Sequence, residues 1–106
     1  MKTYRQGDVL IQQVAPNEVP QKTEEIPRES GRVVLAHSEV TGNAHAIREP
    51  GVCFLRAEGV SDRFLQVSAT SDLEHEEHST IALPPGTYRV RIQREWAGEI
   101  SRAVVD

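Results

Sequence analysis

The sequence is poor in the groups that most often announce a function. Cys53 is its only cysteine, which excludes an internal disulfide framework and a thiolate-rich metal site and fits a reducing compartment. Aromatic residues make up 5% of the chain, too few for a platform on which nucleic-acid bases could stack. Lysine and arginine number 12 against 16 acidic residues, a net charge of −4, so the basic excess of a general nucleic-acid or anionic-membrane binder is missing. There is no phosphate-binding glycine loop and no G-x-S-x-G nucleophile elbow around Ser38. No apolar run approaches the length that spans a bilayer, and the opening MKTYRQGDVL lacks the apolar stretch of a signal peptide. A cytoplasmic protein without nucleic-acid or membrane partners is the expectation.

What the chain does have is regular punctuation. Turn residues recur about every ten positions with β-branched runs between them, the pattern of an all-β fold. At 106 residues one domain is expected, with a modest, mostly aliphatic core. Candidate strands are Val9–Val14, Arg32–His37, Ala44–Ile47, Val52–Arg56, Arg63–Ser68, Thr80–Leu83 and Thr87–Trp96, with Ser101–Val105 as a short last one. The acidic run Ser71–Ser79 holds at most a turn or two of helix. Cys53, in the run Val52–Leu55, reads as a small core hydrophobe, and Asp8 and Asp72 as turn residues. Residues Pro16–Gly31 carry three prolines and few apolar side chains, so they read as an extended loop, either a solvated insertion or a lid. Pro85-Gly86 suits the centre of a type II turn. A hairpin there pairs Leu83 with Tyr88 and Ile81 with Val90. It puts Tyr88, Val90 and Ile92 on a buried face and Arg89 and Arg91 on a wet one.

The four histidines carry the chemistry. Imidazole is the commonest protein metal ligand and titrates nearest neutral pH. In LAHSEVTGNAHAI, a three-residue loop Val40-Thr41-Gly42 with a G1 bulge at Gly42 pairs His37 directly with His45. Both rings then point to the apolar side. His75 and His78, spaced i, i+3, meet on one side only in a turn. Glu74, Glu76 and Glu77 around them fit a solvated acidic loop equally well. Three histidines, with or without a carboxylate, hold zinc, iron(II), manganese or nickel and leave positions open for a ligand.

The stretch VLAHSEVTGNAHAI, the following H-x-x-H, and LPPGTYRVRIQREW together resemble a family of small, uncharacterised bacterial and phage-associated β proteins. That family carries a G-H-A-H-type motif where this chain has Gly42-Asn43-Ala44-His45. The order of a histidine motif, a gap and a Pro-x-Gly turn is also similar to a reduced cupin barrel. The cupin resemblance implies a metal held by histidines of two motifs. His45 matches the first motif, Asn43 stands where its preceding histidine would be, and Thr87–Val90 supplies no histidine for the second. It therefore implies a barrel more than an intact cupin centre.

Together these readings give a cupin-like barrel or sandwich binding one divalent metal through His45, His75 and His78, with His37 as fourth ligand or behind the ligands. A small molecule is the expected ligand, and Glu74 or Glu77 would serve as base in an enzyme. The rival is a non-enzymatic interaction module that joins a protein partner or copies of itself into a homo-oligomer through its sheet edges. A third reading is an anionic metabolite on Arg89 and Arg91.

Overall fold

The computed structural model describes residues 1–93. These form ten strands: β1 Thr3–Gln6, β2 Val9–Val14, β3 Glu24–Glu25, β4 Val33–His37, β5 Ala44–Ile47, β6 Val52–Arg56, β7 Arg63–Val67, β8 Ser71–Glu74, β9 Ile81–Leu83 and β10 Gly86–Ile92. A single 3-10 turn covers Pro16–Glu18. The fold is all-β, as the sequence implied. The expected strand Ser101–Val105 and the end of Thr87–Trp96 lie outside the described residues.

The strands make two antiparallel sheets. One has the order β1-β2-β10-β7-β6-β3 and the other β4-β5-β8-β9. Among the described residues each sheet keeps two edges, so they form two open layers rather than a closed barrel. Alternation decides what lies between the layers. From the larger sheet Val9, Ile11, Val52, Phe54, Leu65, Val67, Tyr88 and Val90 point inward. They meet Val33, Leu35, Ala36, Ile47, Leu73 and Leu83 from the smaller one. Tyr88, Phe54, Ile11, Ile47, Leu65, Leu73 and Leu83 are all but fully buried there. On the outer face of the larger sheet, Arg91 makes two hydrogen bonds to Asp62. Arg89 bonds Gln12 and Glu18. These guanidinium groups are therefore engaged within the chain, which removes the main support for an anion site on them.

The hairpin expected at Pro85-Gly86 does not form. Leu83 pairs with Ser71 and Ile81 with Leu73. Tyr88 instead lies between Gln13 of β2 and Leu65 of β7. The chain crosses from one sheet to the other at Pro84-Pro85, and Gly86, at φ 156°, already belongs to β10. The buried facing expected for Tyr88 and Val90 is observed, that expected for Ile92 is not, and the expected strand partners are replaced. Tyr88 and Val90 are buried, while Ile92 is 38% exposed. Alternation specifies a face, and in the centre of a sheet β10 satisfies the backbone groups on both of its edges.

Residues 16–31 are better tied than a free loop. Glu24-Glu25 pairs with Arg56 and Leu55 as an edge strand, and the Ile26 amide donates to the Phe54 carbonyl. Arg28 donates to the carbonyls of Gly31, Arg48, Glu49 and Val52, which pins the segment across the β5–β6 connection.

A candidate histidine site at one end of the two sheets

Three connections converge at one end of the layers. The first is the turn Gly7-Asp8 between β1 and β2, where Gln6 pairs with Val9 across two residues. Gly7 has φ 60° and Asp8 does not share a positive φ, the signature of a II′ hairpin turn with glycine first. The second is the loop from Ser38 to Asn43, and the third runs from His75 to Thr80. Between them lies a pocket of about 240 Å³ bordered by Asp8, Ser38, Glu39, Asn43, Glu77 and the rings of His45, His75 and His78.

His45 is the anchor of this group. It sits on the inner face of β5 and is 3% exposed. Its partner is Gln6, also buried. The Gln6 amide nitrogen donates to the carbonyls of Leu73 and Ser79, which can only accept, so the orientation of the amide is settled by chemistry. Its oxygen therefore faces His45 Nδ1 at 2.8 Å and requires that nitrogen to be the donor. In the neutral ring the lone pair is then on Nε2, which lies 3.8 Å from an Asp8 carboxylate oxygen. A glutamine that ties a buried histidine to both ends of a neighbouring loop is the kind of outer support that orients metal-binding imidazoles.

The rings of His75 and His78 lie beside the His45 ring. Their centroids lie 4.3 Å and 5.9 Å from that of His45, and 4.7 Å from each other. Gly7 makes room for them. A Cβ there would stand 2.9 Å from His78 Nε2 and 3.3 Å from His45 Cε1, so any other residue would fill the space onto which both rings open. His75 is held on two sides. Its Nδ1 accepts from the Glu77 amide at 3.0 Å, which leaves the proton on Nε2, 2.6 Å from Ser38 Oγ. In that tautomer Ser38 accepts a proton bond rather than losing a proton, the wrong polarity for a serine nucleophile with its base. The Glu76 carboxylate accepts from the Ala44 amide at 2.9 Å. This bond holds its carboxyl below the usual range and ties the histidine loop to the start of β5.

His37 stands apart. The pairing is His37 with Ala44 and Ala36 with His45, with an irregularity between Val34 and Ala36. The expected direct pairing of His37 with His45 is thus off by one residue, and one residue reverses the face. Gly42 does adopt positive φ, at 90°, but the Asn43 amide bonds the Val40 carbonyl and the Ser38 amide bonds the Asn43 carbonyl. The loop is therefore one residue longer than expected. The His37 side chain is 64% exposed and meets Glu29 Oε1 at 2.8 Å, and it is not among the residues that border the pocket. Glu74 is taken up by Arg48, 3.1 Å away, whereas Glu77 borders the pocket. No residue of 16–31 borders it, which leaves the lid reading without a contact here. Cys53 is half-buried on β6, and burial pushes its thiol up.

Among the described residues, no group of three or more His, Cys, Asp or Glu side chains is already set to hold a metal ion. The His45 and His78 rings are stacked, the His75 ring is tilted against both, and His75 Nε2 is turned to Ser38. Sequence reasoning missed Gln6 and the place of Asp8 in the pocket. Both flank the Gly7 turn, and the signal available was a strand, Thr3–Gln6, too polar to be recognised.

Fold and site together define a two-layer antiparallel β protein with a histidine-lined cleft at one end. The chain belongs to a family described as a domain of unknown function, DUF8820, whose model matches residues 5–93. That span takes in every residue of the cleft. Neither curated proteins nor solved structures yield a match. No helix among the described residues is long and apolar enough to cross a membrane.

Proposed function

We propose that this protein binds one divalent metal ion of the imidazole-preferring class in the cleft, through His45, His78 and Asp8, with His75 joining when it leaves Ser38. The observation that carries this reading is the Gln6–His45 pair, a buried imidazole whose Nδ1 is committed as donor so that Nε2 is directed to the cleft. A core histidine needs no second imidazole facing it, still less two. Gly7 supports the same reading, since it leaves open the space beside His78 Nε2 and the His45 ring. Two or three imidazoles with one carboxylate suit zinc, nickel or iron(II) rather than calcium or magnesium. His37 is not among the ligands in this proposal.

The test is elemental analysis of protein purified without a histidine tag, followed by calorimetric titration of the metal-stripped protein with zinc. One equivalent should bind. His45→Ala and His78→Ala should each abolish stoichiometric binding, and His37→Ala should leave it intact. Metal-free protein that melts identically with and without a chelator, and takes up no zinc, would sink the proposal.

A further inference from the structure

An open sheet invites further pairing at its edges unless they are blocked. Among the described residues the edge strands are β1, β3, β4 and β9, and three of them are blocked. Val33, Val34, Leu35 and Ala36 of β4 are all buried, which leaves no room for a strand beside them. β9 is short and runs into Pro84 and Pro85, which have no amide to donate. β3 consists of two glutamates, so a second copy laid on it would set like charges against each other. β1 has none of these protections. Its ladder fixes which groups its outer edge offers. The Gln13 amide donates to the Lys2 carbonyl, and Gln6 faces Val9 across the two-residue turn. Lys2, Tyr4 and Gln6 therefore turn their backbone groups to β2. Thr3 and Arg5 alternate with them and turn theirs outward.

We propose that β1 pairs antiparallel with β1 of a second copy of this chain about a two-fold axis, Thr3 of each copy opposite Arg5 of the other, so that the larger sheet continues through the dimer. In this register both outward amides of each copy find a carbonyl. Tyr4, half-buried and edge-on to Tyr88, meets its counterpart across the axis, and aromatic cross-strand pairs are favourable. No like charges stand directly opposite each other. Shifted one way, the pairing sets Arg5 against Arg5; shifted the other, it carries Arg5 beyond the end of the strand. Thr3, Tyr4 and Arg5 do not border the histidine cleft, so the dimer stands or falls independently of the metal.

The experiment is sedimentation equilibrium of the untagged full chain from micromolar to millimolar concentration, where a reversible monomer–dimer equilibrium is expected. Thr3→Pro and Arg5→Pro each delete an outward amide and no bond between β1 and β2, a position where a strand tolerates proline. Both should melt like the parent. Each substitution acts twice across the axis, so the dimer should weaken about tenfold or more. Arg5→Ala loses only the side-chain bond from Arg5 to Gln93 and should dimerise like the parent. If a proline variant fails to fold, cysteines read the same register, since directly opposed residues suit a disulfide. Thr3→Cys and Arg5→Cys, each with Cys53→Ser, should crosslink far faster when mixed than either does alone. A parent that stays monomeric throughout would overturn the proposal. So would a dimer indifferent to both prolines, or crosslinking with no preference for the mixture.

Discussion

Gln6→Leu is the most searching single change. The leucine removes two amide donors, from the Leu73 and Ser79 carbonyls, and the amide oxygen that faces the His45 Nδ1–H. Stranding that buried N–H costs about 1–3 kcal/mol, and each lost amide bond about 0.5–1.5 kcal/mol. Extra apolar burial by leucine offsets about 1–2 kcal/mol of this. The net loss should be about 2–4 kcal/mol, which for a domain of this size lowers the melting temperature on the order of 10–20 °C. Urea denaturation at constant slope measures it. Gln66→Leu, the same change at an exposed position of β7, serves as the control and should stay within about ±0.5 kcal/mol. Gln6→Glu sharpens the test. It keeps an acceptor for His45 but turns a carboxylate oxygen on two carbonyls, so it should destabilise near neutral pH and recover as the carboxyl protonates. If Gln6→Leu proved as harmless as Gln66→Leu, the buried amide would not be holding the histidine loop, and the argument for an oriented His45 would fail.

Other expectations follow from single contacts. Gly7→Ala meets both a positive φ and the His78 ring, whereas Gly42→Ala meets only a positive φ, with nothing within 4 Å; both should be destabilised by about 1 kcal/mol or more, but only Gly7→Ala should alter the histidine ring signals in an NMR spectrum. Val90→Asp, at a 3% exposed site, should cost several kcal/mol (about 2–7 for an uncompensated polar group), while Val40→Ser, 56% exposed, should stay within about ±0.5 kcal/mol, as thermal melts would show. Hydrogen bonds from Arg91 hold the Asp62 carboxyl below its usual range. Its contribution to stability is therefore complete above the unfolded-state value and lost as pH falls through the lowered one. Asp62→Asn should flatten that acid limb in a stability-against-pH curve, and an unchanged limb would place the dependence elsewhere.

The strands with apolar alternation were legible in the sequence almost to the residue, as Val9–Val14, Ala44–Ile47 and Val52–Arg56 show. Those missed were polar. Thr3–Gln6 is half-wet, Glu24-Glu25 is a wholly exposed edge, and Ser71–Glu74 opens an acidic run in which only Ser71 and Leu73 turn inward. Period-two burial is hard to read when the inward positions are glutamine and serine. Partners were less legible than faces, since β9 and β10 each present a face suited to the other yet sit in different sheets. At the site, the expected pairing of His37 with His45 is replaced by His37 with Ala44 and Ala36 with His45. One irregularity beside Leu35 separates His37 from the cluster, and nothing in the local sequence marks it.

The central position of β10 has a consequence for how the molecule comes into being. On the ribosome, the β1–β2 hairpin is made first but has no neighbour until Gly86–Ile92 emerges. Until then the larger sheet exists as two fragments, β1-β2 and β7-β6-β3. The smaller sheet is already whole once Leu83 has been added, and it carries all three clustered histidines. Gln6, Gly7 and Asp8 travel with the other fragment. Docking of β10 completes the sheet that carries Gln6, Gly7 and Asp8, so the imidazoles and the wall that orients them belong to parts of the fold joined by contacts far apart in sequence. Pairings so distant in sequence are slow to form, which makes assembly of the cleft a late event in the birth of the protein.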